Sequence, residues 1–243
     1  KMFLEIDGLN VFYERKTGTG KPVLLLHGWG CGAETMRRIF DCFSLRGRDV
    51  TALDFPGFGL SDTPDPEFTV YDYARLTNKL ITKLGIENPD VIAHSFGGRI
   101  ALILAAEGKI GRLILTGGAG LRPRRGPKYY YKIWTYKLRR RLGLKPKENA
   151  GSADYRALNP AMRRVFVSVV NTHLDKTLRH IGCPVLLIWG GEDRSTPLYM
   201  ARRMVKRISD CALIIFEDSG HFAFLSETAR FNSIALTFFG EDI

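Results

Sequence analysis

No stretch of this 243-residue chain comes near the roughly 18 consecutive apolar residues that a bilayer-spanning helix needs. Its first residues, Lys1-Met2-Phe3-Leu4-Glu5, hold no apolar core of the kind a secretory leader carries. A soluble, cytoplasmic protein is expected. Cysteine is scarce: Cys31, Cys42, Cys183 and Cys211 lie far apart, with no Cys-x-x-Cys pair to hold a metal or exchange a disulfide. They read as free thiols in a reducing compartment, with Cys31 a small packing residue rather than a nucleophile. Neither a metal nor a cofactor is expected. Internal repeats and low-complexity tracts are also missing, which excludes solenoids and disordered arrays. Acid is nearly missing from one segment. Between residues 122 and 148, eleven lysines and arginines stand against the single carboxylate Glu148, a balance of +10 in a chain whose whole formal charge is +11. The basic character therefore belongs to one segment and not to the remainder.

What is present is an alternation. Short apolar runs at 22–26, 50–54, 90–93, 112–116, 184–189 and 212–216 predict strands, the continuous ones buried on both faces. An antiparallel hairpin is predicted from 2–6 and 11–14 around Asp7-Gly8, with its turn type open. Between strands, Val70, Tyr73, Ala74, Thr77, Leu80, Ile81 and Leu84 recur at helical spacing and stop at Gly85. Further helices are predicted over 99–104, 197–208 and, as one terminal helix, 223–239. Such alternation gives an α/β protein with a parallel, doubly wound sheet and helices on both faces. It lapses between Gly117 and Cys183, where helices are predicted at 129–142 and 159–170 around a polar Gly-Ser stretch.

One junction carries chemistry. Ala93-His94-Ser95-Phe96-Gly97-Gly98 joins a predicted strand to a predicted helix. A serine at so sharp a turn has its hydroxyl thrust above the sheet, provided that small residues lie two positions to either side, as Ala93 and Gly97 do. The plainer reading is a serine that caps a helix. At these residues the chain resembles the α/β-hydrolase family, with Ala93 standing where the G-x-S-x-G pattern has its first glycine. The resemblance runs from Pro22 to His221. It implies an α/β-hydrolase fold, with a core at 1–117 and 184–243 and a helical cap inserted at 118–183.

The resemblance also implies roles. Ser95 would be the nucleophile, followed along the chain by an acid, Asp193, and a base, His221. Both fall just beyond predicted strands, at the edge where open α/β sheets build their sites. Glu192 and Asp218 compete with Asp193, while His94, His173 and His180 read as core or surface residues. The oxyanion donors would be the N–H of Phe96 and, by similarity to the H-G-x-G loop, that of Trp29 in His27-Gly28-Trp29-Gly30. Gly28 and Trp134 are expected to line the substrate site.

Such a set implies a cofactor-free serine hydrolase, carboxylesterase-like, that cleaves a small-molecule ester through an acyl-enzyme. A serine in the elbow separates the chain from haloalkane dehalogenases and epoxide hydrolases of the same fold, which use aspartate. Carbon-carbon bond hydrolases acting on acidic dienones rank second: a cationic cap suits their substrates, yet they tend to have Trp after the histidine, where this chain has Phe222. A non-catalytic small-molecule receptor is the third reading. In the cap, Tyr130, Trp134, Leu138 and Leu142 share a stripe, with Lys128, Lys132 and Arg139 roughly opposite. A lid over an apolar pocket is expected, ahead of a helix that meets an anionic membrane. The expected partner is a small molecule, anionic if the charge selects it, and no nucleic-acid motif accompanies the basic residues.

Overall fold

The computed structural model describes residues 2–124, 126, 131, 134, 135, 138, 141 and 158–240. Among these, eight strands form one sheet: β1 (Met2–Ile6), β2 (Leu9–Lys16), β3 (Gly20–Leu26), β4 (Arg48–Leu53), β5 (Asp90–His94), β6 (Leu113–Thr116), β7 (Val185–Gly190) and β8 (Cys211–Phe216). Their order is β1-β2-β4-β3-β5-β6-β7-β8. The β1–β2 and β2–β4 pairs are antiparallel and every other neighbouring pair is parallel. The described helices are α1 (Arg37–Leu45), α2 (Val70–Lys83), α3 (Phe96–Ala106), α4 (Pro160–Asn171), α5 (Tyr199–Val205), α6 (Ala223–Ser226) and α7 (Thr228–Phe238).

Because side chains alternate along a strand, the parallel strands feed two cores. Leu24, Leu26, Val91, Ala93, Leu113, Leu115 and Leu187 face one of them, which α2, α3 and α5 close with residues such as Leu80, Leu104 and Met204. Val23, Leu25, Ile92, Ile114, Leu186 and Ile188 face the other, closed by Phe40 and Phe43 of α1 and Phe231 of α7. The chain passes from β3 outward to β4, then returns across β3 to β5. That reversal places the carboxyl ends of β3 and β5 side by side, the crevice where doubly wound sheets receive ligands.

The predicted strands are all present, within a residue or two at their ends. The hairpin turn is tight: Ile6 pairs with Leu9, and Asp7 and Gly8 both have positive φ, 54° and 80°, the pattern of a type I′ turn. Helix α2 opens on a capping box between Thr69 and Asp72, and Gly85 follows its end at φ 65°. Three differences stand out. Helix α1 has no counterpart in the expected elements, although Met36, Ile39, Phe40 and Phe43 are buried at helical spacing. The terminal helix is two helices, broken at Glu227 (φ −122°, ψ 51°), whose carboxylate accepts from Ser219 and Arg230 instead of continuing the helix surface. Helix α5 is shorter than expected at both ends, beginning at Tyr199 and ending at Val205.

In the insertion, α4 matches the expected second helix: Asn159 accepts the N–H of Met162 at 2.8 Å, and Pro160 opens the first turn. The expected helix at 129–142 lies outside the described residues except at five positions. Four of these, Tyr131, Trp134, Leu138 and Arg141, are exposed. Among the described residues no helix is long and apolar enough to cross a membrane.

Candidate active site

Four loops at the carboxyl ends of the strands build the site. Ser95 sits between β5 and α3 at φ 47°, ψ −106°, a region that non-glycine residues rarely enter. Its own backbone holds it there: its N–H donates to Thr116 O at 3.0 Å, and its carbonyl accepts from Gly98 and Ala119 at 3.0 Å each. A strained dihedral persists only where its surroundings over-determine it. The expected need for a small residue at 97 has a direct cause, because a Cβ on Gly97 would lie 2.5 Å from Leu26 O and 2.7 Å from His27 O.

His221, beyond β8, reaches Ser95 with Nε2 2.9 Å from Oγ. Its Nδ1 lies 2.8 Å from Oδ2 of Asp193, beyond β7. A carboxylate accepts, so Nδ1 carries the proton and Nε2 is left with a lone pair toward the serine hydroxyl. Neither Glu192 nor Asp218 meets the ring; among the described residues Asp193 does. The Asp193 side chain is wholly shielded from solvent. Burial alone would raise its pKa, but the bonds from His221 and Thr196 outweigh burial and hold the carboxyl below its ordinary range. Oδ1 takes the N–H groups of Ser195 and Thr196, at 2.8 and 2.9 Å.

The loop after β3 lies against the serine. His27 is fully buried, donates from Nδ1 to Gly28 O (2.7 Å) and accepts the Phe55 N–H at Nε2 (2.9 Å). Gly28 is a spacing position, since a Cβ there would come 2.9 Å from Cδ2 of His94 and 3.4 Å from Cβ of Ser95. In this region Gly97 N–H is taken by His27 O and Gly98 N–H by Ser95 O. Among the described residues no acceptor takes the N–H of Trp29 or of Phe96. The Trp29 ring stands edge-on to Phe58, Phe96 and Phe166, with centroids 4.8 to 5.2 Å away.

Phe166 belongs to α4, so the insertion helix itself touches the loop beside the serine. Trp134, by contrast, is 58 % exposed and stacks on Tyr131 at 6.2 Å. Of that expected stripe the described members are Trp134 and Leu138, and both are exposed. Periodicity reports a shared side, and an outward stripe has the same period as an inward one.

Sequence reasoning passed over three residues that hold these loops. Asp54, at the end of β4, is buried and accepts the N–H of Ala33 (2.6 Å) and of Leu60 (2.8 Å), fastening the loop after β4 to the one after β3. A carboxylate ending a buried strand had to find such donors, which was the available signal. Glu227 accepts from Ser219 at 2.9 Å and so ties down the loop bearing His221. Thr196 places its hydroxyl 2.8 Å from Asp193 Oδ2. The four cysteines carry no disulfide, and burial raises the thiol pKa of Cys31 beside the site, keeping it protonated.

Residues 23–234 match the model of a family described as the alpha/beta hydrolase family. A 2-hydroxy-6-oxononadienedioate/2-hydroxy-6-oxononatrienedioate hydrolase of Paraburkholderia phymatum is 28 % identical, over 96 % of this chain and 92 % of that protein. A 2-hydroxy-6-oxo-6-phenylhexa-2,4-dienoate hydrolase of Comamonas testosteroni is also 28 % identical, over 94 % and 91 %. Among solved structures, an esterase from Exiguobacterium antarcticum superposes with a TM-score of 0.78 at 23 % identity, covering 97 % of this chain and 98 % of that one. The last likeness speaks to the fold alone.

Proposed function

Because this chain belongs to the alpha/beta hydrolase family, we propose that it is a cofactor-free serine hydrolase that cleaves a carboxylic ester of a small molecule through an acyl-enzyme. The supporting observation is the unbroken line of hydrogen bonds from Ser95 through His221 to Asp193, at 2.9 and 2.8 Å. A serine hydroxyl attacks a carbonyl only as its proton leaves. His221 Nε2 takes that proton and later returns it to the leaving alcohol, while Asp193 fixes the tautomer and faces the imidazolium. Charge building on the carbonyl oxygen would be met by the N–H groups of Trp29 and Phe96. A single such donor is worth about 3 to 4 kcal/mol in comparable sites. Water, activated by the same imidazole, then releases the acid.

In this reading residues 118–183 form a cap, α4 roofs the serine, and Trp29, Phe96 and Phe166 give the acyl part an aromatic wall. Gly28 serves by letting substrate and His94 approach the loop closely, and Trp134 belongs to the cap's outer surface. Unbonded cysteines suit a reducing cytoplasm. A second reading, carbon-carbon bond hydrolysis of an acidic dienone, is favoured by the names that the two 28 % identical relatives bear. It uses the same serine, and the basic segment would attract its carboxylate.

The test is turnover of p-nitrophenyl esters of graded acyl length, beside a 2-hydroxy-6-oxodienoate, by the wild-type protein and Ser95→Ala. Ester hydrolysis that falls at least about 10³-fold in Ser95→Ala is expected. Dienoate turnover without ester turnover would replace the first reading by the second, and no Ser95-dependent turnover of either would leave a receptor.

A further inference from the structure

Asp193 is met by one donor more than the expected mechanism needs. Its Oδ1 takes two backbone N–H groups, and its Oδ2 takes both His221 Nδ1 and the hydroxyl of Thr196, at 2.8 Å each. Four donors saturate a carboxylate. The Thr196 hydroxyl has a second acceptor within reach, the carbonyl of Gly117 at 3.0 Å, and its oxygen lies 3.4 Å from Nδ1 of His221. It carries one proton and can satisfy only one acceptor at a time.

The backbone around this hydroxyl is fixed. Trp189, fully buried, donates its indole N–H to the Thr196 carbonyl at 2.7 Å, and the Thr196 N–H is held by Asp193. The residue itself is 6 % exposed, so no water competes freely for the proton. Rotation about the Cβ–Oγ bond carries the proton between Asp193 Oδ2 and Gly117 O.

We propose that Thr196 is a positioning residue that acts through Asp193: its hydroxyl shares the charge of the carboxylate while His221 is neutral and turns to Gly117 O when His221 takes the proton of Ser95. In the first state the donor draws charge away from the imidazole, keeping it free to accept a proton. In the second the carboxylate is returned to the imidazolium undivided. Loss of the hydroxyl leaves Oδ2 with its charge directed permanently at His221, which favours the imidazolium.

The inference rests on the proposed Ser95–His221–Asp193 site but is read without turnover. The imidazole resonances of His221 are followed by NMR against pH in wild type, Thr196→Val and Thr196→Ser. The midpoint moves up by about half a pH unit in Thr196→Val and returns to the wild-type position in Thr196→Ser. Where ester turnover is present, the acid limb of kcat/KM moves by the same amount, while melting temperatures of the serine and wild-type proteins agree. Thr196→Ala takes the place of the valine variant if that does not fold. Superimposed midpoints for the hydroxyl-bearing and hydroxyl-free proteins overturn the proposal, as does a shift that serine fails to reverse. A shift reversed by serine, in a protein with no Ser95-dependent turnover, sustains this inference and removes the hydrolase reading.

Discussion

Two imidazoles beside the candidate site are held neutral for the same reason and in different surroundings. His27 and His94 are both without exposed surface. Burial, ahead of every other influence, lowers the pKa of His27 to about 4 and that of His94 to about 3. In His27 both ring nitrogens are engaged, so a second ring proton would point at the Phe55 N–H. In His94 the Nδ1–H donates to Thr116 O and the buried Nε2 has no partner among the described residues, so protonation would create an unpaired buried charge. The unfolded chain protonates near 6.5, and so it binds more protons than the folded one below that pH. The stabilisation is complete above about pH 7 and is lost as the pH falls toward 4 for His27 and toward 3 for His94, at about 1.4 kcal/mol per pH unit for each ring. Urea midpoints at pH 7 and 5 should differ by on the order of 3 kcal/mol of unfolding free energy, and His94→Asn should reduce that difference by about half. Equal stabilities at the two pH values would show that these rings do not titrate on unfolding. At this scale the sequence displayed Ser95, Asp193 and His221 because each adjoins a strand end with its own local pattern. It did not display Thr196 or Glu227: the Gly117 carbonyl reaches Thr196 only once β6 and β7 pair, and the tether of Ser219 to Glu227 leaves no mark in apolar spacing.

Among the elements, the buried strands were the most legible, since a run such as Val185-Leu186-Leu187-Ile188 leaves no polar face to present to water. Helices were read less evenly. The apolar period that marks α2 is also present in α1, and it runs unbroken through Glu227, because spacing of apolar residues does not register a local tether such as that to Ser219. Helix α4 lies against the loop beside the serine. Met162, Val165 and Val169 bury its inner side, Phe166 touches Trp29, and the carbonyl of Thr172 just past its end accepts from Arg99 Nη1 at 2.6 Å. Burial brings the Arg99 pKa down to about 10, which still leaves a full positive charge at the negative end of the α4 dipole. The helix is thus latched to α3, the helix that Ser95 directly precedes. If it roofs the site, Phe166→Ala should raise KM about five- to tenfold for esters with an apolar acyl chain and leave kcat within about twofold, the mark of lost uniform binding. An unchanged KM across the acyl series would place the acyl group elsewhere, and a matching fall in kcat would show that Phe166 instead positions Trp29.

Across the whole molecule the charge is gathered and not spread, with +10 of the +11 lying between residues 122 and 148. The same insertion exposes apolar side chains at Tyr131, Trp134 and Leu138, and on α4 at Val167 and Val170. A substrate-steering field would need the cations but not the apolar surface. Apolar side chains among cations are what an anionic bilayer selects, since each basic residue near such a surface contributes about 1 kcal/mol and the aromatic rings settle at the headgroup level. The protein should therefore cosediment with vesicles containing phosphatidylserine at about 0.02 M salt, and not with pure phosphatidylcholine. Raising the salt to about 0.5 M, where screening acts within a few ångströms, should release it. Replacing Arg139, Arg140 and Arg141 by Gln should weaken binding by about two orders of magnitude at low salt while leaving turnover of a soluble neutral ester unchanged. Absence of sedimentation at low ionic strength would remove the membrane. A rise in KM for an anionic ester in the same triple variant would then assign the charge to substrate capture, so the pair of measurements decides which anion the insertion is built to meet.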